Sequence, residues 1–105
     1  MDGKIRILLK EPGKKARFEY IDNELKAMQE TVGGYIETVT LAEDVVIICD
    51  EEGRLKGAPK NCEVCGIDFV GPIFFAGIDG EELCDVPLDE YMAATIFPEL
   101  MEEDA

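Results

Sequence analysis

The sequence predicts a single α+β domain, with a mostly antiparallel sheet and two packed helices in the order β-β-α-β-β-β-β-α. Runs that alternate apolar and polar residues recur between turn residues, as strands with one buried face do. Two segments instead space their apolar residues as helices do. With 105 residues, 47% of them hydrophobic, the chain can bury a core of its own but has no room for a second domain. We expect residues 1–98 to form the domain and residues 99–105 to form an acidic C-terminal tail.

The first predicted element is a hairpin. Residues 4–10 and 16–21 both alternate in the manner of strands, and a proline-glycine turn at residues 11–14 separates them. A helix should follow, with Asp22 as its N-cap and with one apolar face formed by Leu25, Met28 and Val32. Gly33-Gly34 should end this helix, because glycine readily adopts the left-handed conformation needed there.

A second hairpin is predicted from residues 35–41 and 45–49, joined by an acidic turn. The second of these runs is apolar on both faces, which favours a central place in the sheet. Residues 50–66 are rich in turn residues and are expected to be a loop.

The last third of the chain should hold a strand, a hairpin and a helix. Residues 68–78 resemble a strand that bends at its glycine-proline pair, and Asp79-Gly80 is a hairpin signal leading into residues 81–85. The second helix is predicted from an apolar face over residues 88–96, which Pro98 closes. That face consists of Leu88, Tyr91, Met92 and Ile96.

The charge of the chain is strongly negative and uneven. Twenty-four acidic residues against ten basic ones give a net charge of −14, and there is no histidine. Catalytic triads and metal sites that need histidine are therefore excluded. Residues 1–20 carry a net charge of +3, so the remainder carries −17. Direct nucleic-acid binding needs a broad basic face and is not expected. The acidity either keeps the protein soluble or imitates the phosphates of nucleic acid.

The four cysteines are the only cluster of metal-binding type in the sequence. Cys62 and Cys65 form a CxxC motif, and with Cys49 and Cys84 they could supply four thiolates to zinc. One motif alone is weak evidence, and Cys49 also fits a core position. A redox role would need the motif at a helix start, whereas the residues that follow resemble a strand. We expect reduced thiols in a cytoplasmic protein, because the sequence has neither a membrane-spanning apolar run nor a signal peptide.

A cluster of hydrogen-bond donors stands out in the acidic part of the chain. Arg54, Lys56, Lys60 and Asn61 lie within eight residues of one another. They could bind a small anion, a nucleotide-like ligand or an acidic partner. Equally, these bases could simply offset the three acids at residues 50–52.

Several short motifs together resemble a known family. They are Glu11-Pro12-Gly13-Lys14, Val32-Gly33-Gly34-Tyr35-Ile36-Glu37, Glu51-Glu52-Gly53, Leu55-Lys56-Gly57, Pro59 and Asn61. The sequence resembles a domain-of-unknown-function family of small proteins from phages, plasmids and conjugative elements. Cys62, Cys65 and Cys84 depart from that family's pattern.

The resemblance implies a context in mobile elements, where small proteins often act by binding. We therefore predict a non-enzymatic binding protein that engages a host protein or a small anionic ligand and that forms oligomers in some settings. The predicted binding residues are Tyr35, Glu37, Arg54, Lys56, Lys60 and Asn61. The first alternative is an acidic mimic of nucleic acid, and the second is a small enzyme of unknown reaction.

Overall fold

The computed structural model describes residues 3–102 and confirms the α+β class with its mostly antiparallel sheet. Its elements follow roughly the predicted order, with two differences. The expected loop at residues 50–66 contains a strand, and the expected strand at residues 68–78 is divided in two. In chain order the elements are β1 (Lys4–Lys10), β2 (Arg17–Asp22), α1 (Leu25–Val32), β3 (Ile36–Ala42), β4 (Val45–Asp50), β5 (Lys60–Val64), β6 (Ile67–Val70), β7 (Ile73–Asp79), β8 (Glu82–Cys84), α2 (Glu90–Ile96) and a 3₁₀ helix (Pro98–Met101).

The main sheet has the strand order β2-β1-β7-β4-β3, and β8 adds to β7. Its strand pairs are all antiparallel in the described part of the chain. β4 lies between β7 and β3, which confirms its predicted interior place. β5 and β6 form a separate two-stranded hairpin. Gly71 stands between β6 and β7 with a φ of +69°, so the chain leaves one sheet and enters the other at the predicted glycine-proline bend.

The sheet has a hydrophobic core on each face. On one face α1 covers the sheet with Met28 and Val32. On the other face the covering elements are the β5–β6 hairpin, α2 and the 3₁₀ helix, which contribute Val64, Phe69 and Leu100. Strands β4 and β7 supply side chains to both cores, which explains why their sequences are apolar without alternation. No helix within residues 3–102 is long and apolar enough to cross a membrane.

The start of α1 differs from the prediction, whereas its end agrees. Asp22 is the last residue of β2, where its carboxylate accepts a 2.8 Å hydrogen bond from the Lys4 ammonium. The helix begins after Glu24, whose side chain makes no capping hydrogen bond. Pairing with β1 continues through residue 22 and so displaces the helix start. Gly33 is left-handed at φ +92°, as predicted for the residue that ends the helix.

The prediction of which face of α2 packs on the core is wrong. Leu88 is buried ahead of the helix, but Tyr91 is 79% exposed, and Met92 and Ile96 are exposed as well. The residue of α2 that enters the core is Ala93. A small residue at the contact lets the helix approach the sheet closely, and the larger side chains then lie on the outer sides of the helix.

The predicted tail at residues 99–105 is wrong for its first part. Residues 98–101 form the 3₁₀ helix, and Leu100 is buried in the core beside α2. The carbonyl of Leu100 accepts a 2.6 Å hydrogen bond from the Ala16 amide, which ties this segment to the start of β2. Residues 103–105 of the predicted tail lie outside the described residues.

Candidate binding groove

Lys56, predicted as a ligand-binding residue, makes two contacts within the chain. Its ammonium lies 2.5 Å from the Asp50 carboxylate and donates a 2.9 Å hydrogen bond to the carbonyl of Gly33. The Asp50 side chain is only 5% exposed. Burial raises the pKa of Asp50, but hydrogen bonds from Lys56 and the Glu52 amide, with the charge of Lys56, outweigh it and leave the pKa lowered. Lys56 thus fastens the loop after β4 to the end of α1.

The glycine pair after α1 has two separate reasons to be glycine. Gly33 takes the left-handed conformation. Gly34 lies against the ion pair, because a Cβ at that position would be 2.7 Å from both the Asp50 carboxylate and the Lys56 ammonium. The Val-Gly-Gly part of the sequence motif is therefore explained by helix termination and close packing.

Asn61 is buried and joins three parts of the chain. Its amide donates to the carbonyls of Lys10 at 2.8 Å and Gly71 at 2.7 Å, and its carbonyl accepts from the Lys10 ammonium at 3.0 Å. Lys10 is fully buried, and its ammonium also donates to the carbonyl of Glu11 at 2.8 Å. Burial lowers the pKa of Lys10, and the nearby Cys62 opposes this shift. Asn61 is thus a structural residue that connects β1, β5 and the bend before β7.

The predicted donors do not converge on one point. Lys56 and Asn61 serve the internal contacts just described, and Lys60 is exposed at the start of β5. Tyr35 is exposed too, and its carbonyl accepts a 2.9 Å hydrogen bond from the Glu51 amide. Only Glu37 and Arg54, of the six predicted residues, line the same concavity.

That concavity, here called the acidic groove, has a volume of about 370 Å³. β3 and β4 supply one wall, and the loop after β4 together with β6 supplies the other. The lining residues are Glu37, Val39, Cys49, Asp50, Glu51, Arg54, Leu55, Ile67, Asp68, Phe69 and Val70.

The acidic groove has an apolar part inside and at its rim. Val39 is partly buried and Phe69 is buried in the core beneath. At the rim, Leu55 is 86% exposed and Ile67 is 43% exposed. Single exposed apolar residues are common on protein surfaces, but several around one concavity are typical of binding sites.

The charged residues of the acidic groove are mostly carboxylates. Glu37, Asp50, Glu51 and Asp68 face a single base among the lining residues, Arg54. The Arg54 guanidinium donates a hydrogen bond to the main-chain carbonyl of Asp68. Asp50 is already paired with Lys56, so the other three carboxylates set the negative character of the groove.

Cys49 lines the acidic groove but is a poor nucleophile. Burial, followed by the charges of Glu37 and Asp50, raises the pKa of its thiol to about 11. Its sulfur lies 3.7 Å from the carbonyl of Glu37. The thiol is therefore protonated near neutral pH, and the thiolate form that attacks electrophiles or binds zinc is rare.

The structure does not assemble the predicted four-cysteine zinc site. All four thiols are free. Cys62 lies half-buried on β5, Cys65 lies in the β5–β6 turn, and Cys84 pairs on β8 with Gly77. Cys84 therefore lies near the start of β4, opposite the end that carries Cys49. Within residues 3–102 no three cysteine or acidic side chains are placed to hold a metal ion.

Several bases of the first hairpin are paired with nearby acids. Its ion pairs are Lys4–Asp22 at 2.8 Å, Arg17–Glu11 at 2.7 Å, Arg17–Glu19 at 3.7 Å and Lys14–Glu11 at 3.9 Å. The guanidinium of Arg6 lies 3.9 Å from the centre of the Phe18 ring. Three bases of this hairpin, Lys4, Lys14 and Arg17, are therefore engaged by nearby acids, while the net charge of +3 over residues 1–20 remains.

Sequence reasoning missed most of the acidic groove. It found Glu37 and Arg54, but not Val39, Leu55 or the β6 wall. Leu55 carried a usable signal, because it is a lone large apolar residue in a loop of charged and turn residues. The β6 wall carried none, since its residues are adjacent to the others only in the folded chain.

The fold and the groove define a class: an α+β domain with a two-faced antiparallel sheet and an acidic groove between its edge and a separate hairpin. The model of the family described as Domain of unknown function (DUF3846) matches residues 5–96. The chain belongs to this family. No curated protein and no solved structure matches it.

Proposed function

We propose that this chain is a non-enzymatic binding protein of a phage or another mobile element, and that the acidic groove binds a host protein. Interference with a host defence protein is the role that such a context favours. The exposed Leu55 at the rim of an apolar concavity supports this proposal most strongly. Burying an exposed leucine side chain against a partner stabilises the complex by about 1.5–3 kcal/mol. Leu55 could therefore contribute substantially to the affinity for a partner.

A protein partner has more support than a small anion. An anion site needs hydrogen-bond donors that converge. The lining of the groove instead offers one base, Arg54, against three carboxylates other than Asp50, those of Glu37, Glu51 and Asp68. These carboxylates would repel phosphate or another anion. They would attract the basic residues of a protein, and the apolar rim would bind its hydrophobic side chains.

The proposal can be tested by photo-crosslinking in host cells. A photoreactive phenylalanine analogue at position 55 should capture one host protein. The matched control carries the analogue at Leu25, which is 56% exposed on α1 and lies across the sheet from the groove. Capture of the same proteins at both positions would contradict the groove as the binding site. Capture of a second copy of the chain at position 55 would contradict a host partner and would show that the groove mediates self-association.

Mimicry of nucleic acid is a second candidate, supported by a separate acidic region. The turns after β3 and β7 lie together, with Glu43, Asp44 and Asp79 around one shallow depression. Burial raises the pKa of Cys84 nearby, and the charges of Asp79, Asp85 and Asp44 raise it further.

Charge neutralisation in these turns separates the two candidates. A triple variant with Glu43→Gln, Asp44→Asn and Asp79→Asn should lose its partner if the protein imitates phosphates. It should keep the partner captured at position 55 if the acidic groove is the binding site. Retention of the partner by the triple variant would therefore remove mimicry through this region.

A further inference from the structure

We propose, building on the proposed function, that the acidic groove receives an extended partner segment of alternating basic and apolar residues, which pairs with the free edge of β6 as an added strand. Addition of a strand to an exposed sheet edge is a general mode of peptide recognition. The partner is thus defined by its conformation and its charge.

β6 offers an edge with a known direction. Among residues 3–102 its strand partner is β5 alone, and all four of its residues line the groove. The turn between the strands has two residues, Cys65 and Gly66, both with positive φ. Such a turn makes Val64 and Ile67 the first hydrogen-bonded pair, so Asp68, opposite Glu63, directs its N–H and C=O away from β5.

Arg54 occupies this edge in the free protein. Its guanidinium donates to the Asp68 carbonyl, which is the acceptor that an added strand would use. The same contact confirms that this carbonyl points outward from the hairpin. A partner strand must therefore displace Arg54, and an exposed side chain can move away at small cost.

The wall formed by β3 and β4, opposite β6, determines which side chains the incoming segment should carry. Glu37 and Val39 are two residues apart on β3 and so lie on the same face of the sheet, where both line the groove. Together with Glu51 and Asp68 on the other wall, Glu37 places carboxylates beside apolar surface. An extended segment that alternates basic and apolar residues matches both features.

A second copy of this chain fits the groove poorly. Each copy has a net charge of −14, so two copies repel each other. The basic strand of the chain is β1, with Lys4, Arg6 and Lys10, and it is already paired on both sides in the main sheet, with β2 and with β7. The cations of Lys4 and Arg17 are bound to acids within the β1–β2 hairpin. Charge complementarity therefore favours a different, basic partner.

A synthetic seven-residue peptide of alternating lysine and valine, blocked at both ends, is the probe. Fluorescence anisotropy should detect its binding, and the matched glutamate-valine peptide should not bind. Glu37→Gln and Asp68→Asn should each weaken binding about two- to fivefold, as for single exposed charge pairs. Glu30→Gln on α1 is the matched control and should leave binding unchanged. Equal binding of the two peptides, or equal effects of all three substitutions, would overturn the inference.

Hydrogen exchange separates added-strand pairing from contact by side chains alone. In the complex with the lysine-valine peptide, the Asp68 amide should exchange more slowly than in the free protein. An unchanged Asp68 amide in a bound complex would overturn strand addition while leaving the proposed function in place. Absence of any protein captured at position 55 would instead overturn the proposed function, whatever the peptide does.

Discussion

At the scale of single residues, Asn61 shows how a polar side chain in a predicted binding loop becomes part of the core. Its side-chain amide donates to two main-chain carbonyls and accepts from the Lys10 ammonium. The sequence indicated a donor in a loop, but it held no information about the carbonyls of Lys10 and Gly71, which are distant along the chain. Burial of those carbonyls decides the role of the residue.

Replacement of this residue should be costly. Asn61→Ala leaves the buried carbonyls of Lys10 and Gly71 without their donor, and we expect the free energy of unfolding to fall by about 2–4 kcal/mol. Urea unfolding followed by circular dichroism measures this change. Asn23→Ala is the control, because the Asn23 side chain donates an exposed 3.3 Å hydrogen bond to the Leu83 carbonyl. Equal losses in the two variants would contradict the structural role of Asn61.

The cysteines should differ in their reactivity according to burial. Cys65 is exposed in its turn, whereas Cys49 is buried with a thiol pKa of about 11. With iodoacetamide at pH 8, Cys65 should be alkylated first and Cys49 last. The rate at Cys49 should rise about tenfold per pH unit until its pKa is reached, since only the thiolate reacts. Mass spectrometry of digested samples gives both rates, and early alkylation of Cys49 would contradict its placement.

At the scale of elements, the ion pair between Asp50 and Lys56 joins the loop after β4 to the end of α1 and should give a pH signature. The folded pKa of Asp50 is lowered, so its contribution to stability is present above the unfolded pKa of about 4. That contribution is lost as the pH falls through the folded pKa.

Lys56→Met should reverse the pH dependence of the contribution that Asp50 makes to stability. Burial would then raise the pKa of the carboxyl, so the Asp50 contribution to the free energy of unfolding should be present below its unfolded pKa and be lost as the pH rises through the raised folded pKa. Urea unfolding of both proteins from pH 3 to pH 7 measures the difference. Glu30→Gln, on α1, is a control for loss of one surface charge. Parallel pH profiles for wild type and Lys56→Met would contradict the role of the pair.

Strands and turns were easier to predict than helix faces. The first hairpin, the interior position of β4 and the glycine that ends α1 follow from alternation, apolar runs and backbone conformation. β5 was missed because its sequence combines turn residues with a CxxC motif that suggested a loop. The face of α2 was wrong because Ala93 makes the contact, whereas Tyr91 and Ile96, which fit a helical stripe, lie outside.

At the scale of the whole molecule, the candidate site is a product of topology. β3, the loop after β4 and β6 are brought together because β7 returns between β1 and β4 and places the β5–β6 hairpin over one face. Local sequence patterns predicted the class of fold, since alternation and helical spacing are local. They could not predict a groove whose walls come from three separated segments.

The most direct test of the central claim is the affinity of Arg54→Ala for the lysine-valine peptide. Loss of the guanidinium frees the Asp68 carbonyl and removes a positive charge from the acidic groove. Anisotropy titration at low salt should show binding about two- to fivefold tighter than wild type. Binding weaker than wild type would contradict the account, because it would show that Arg54 contacts the ligand and is not displaced by it.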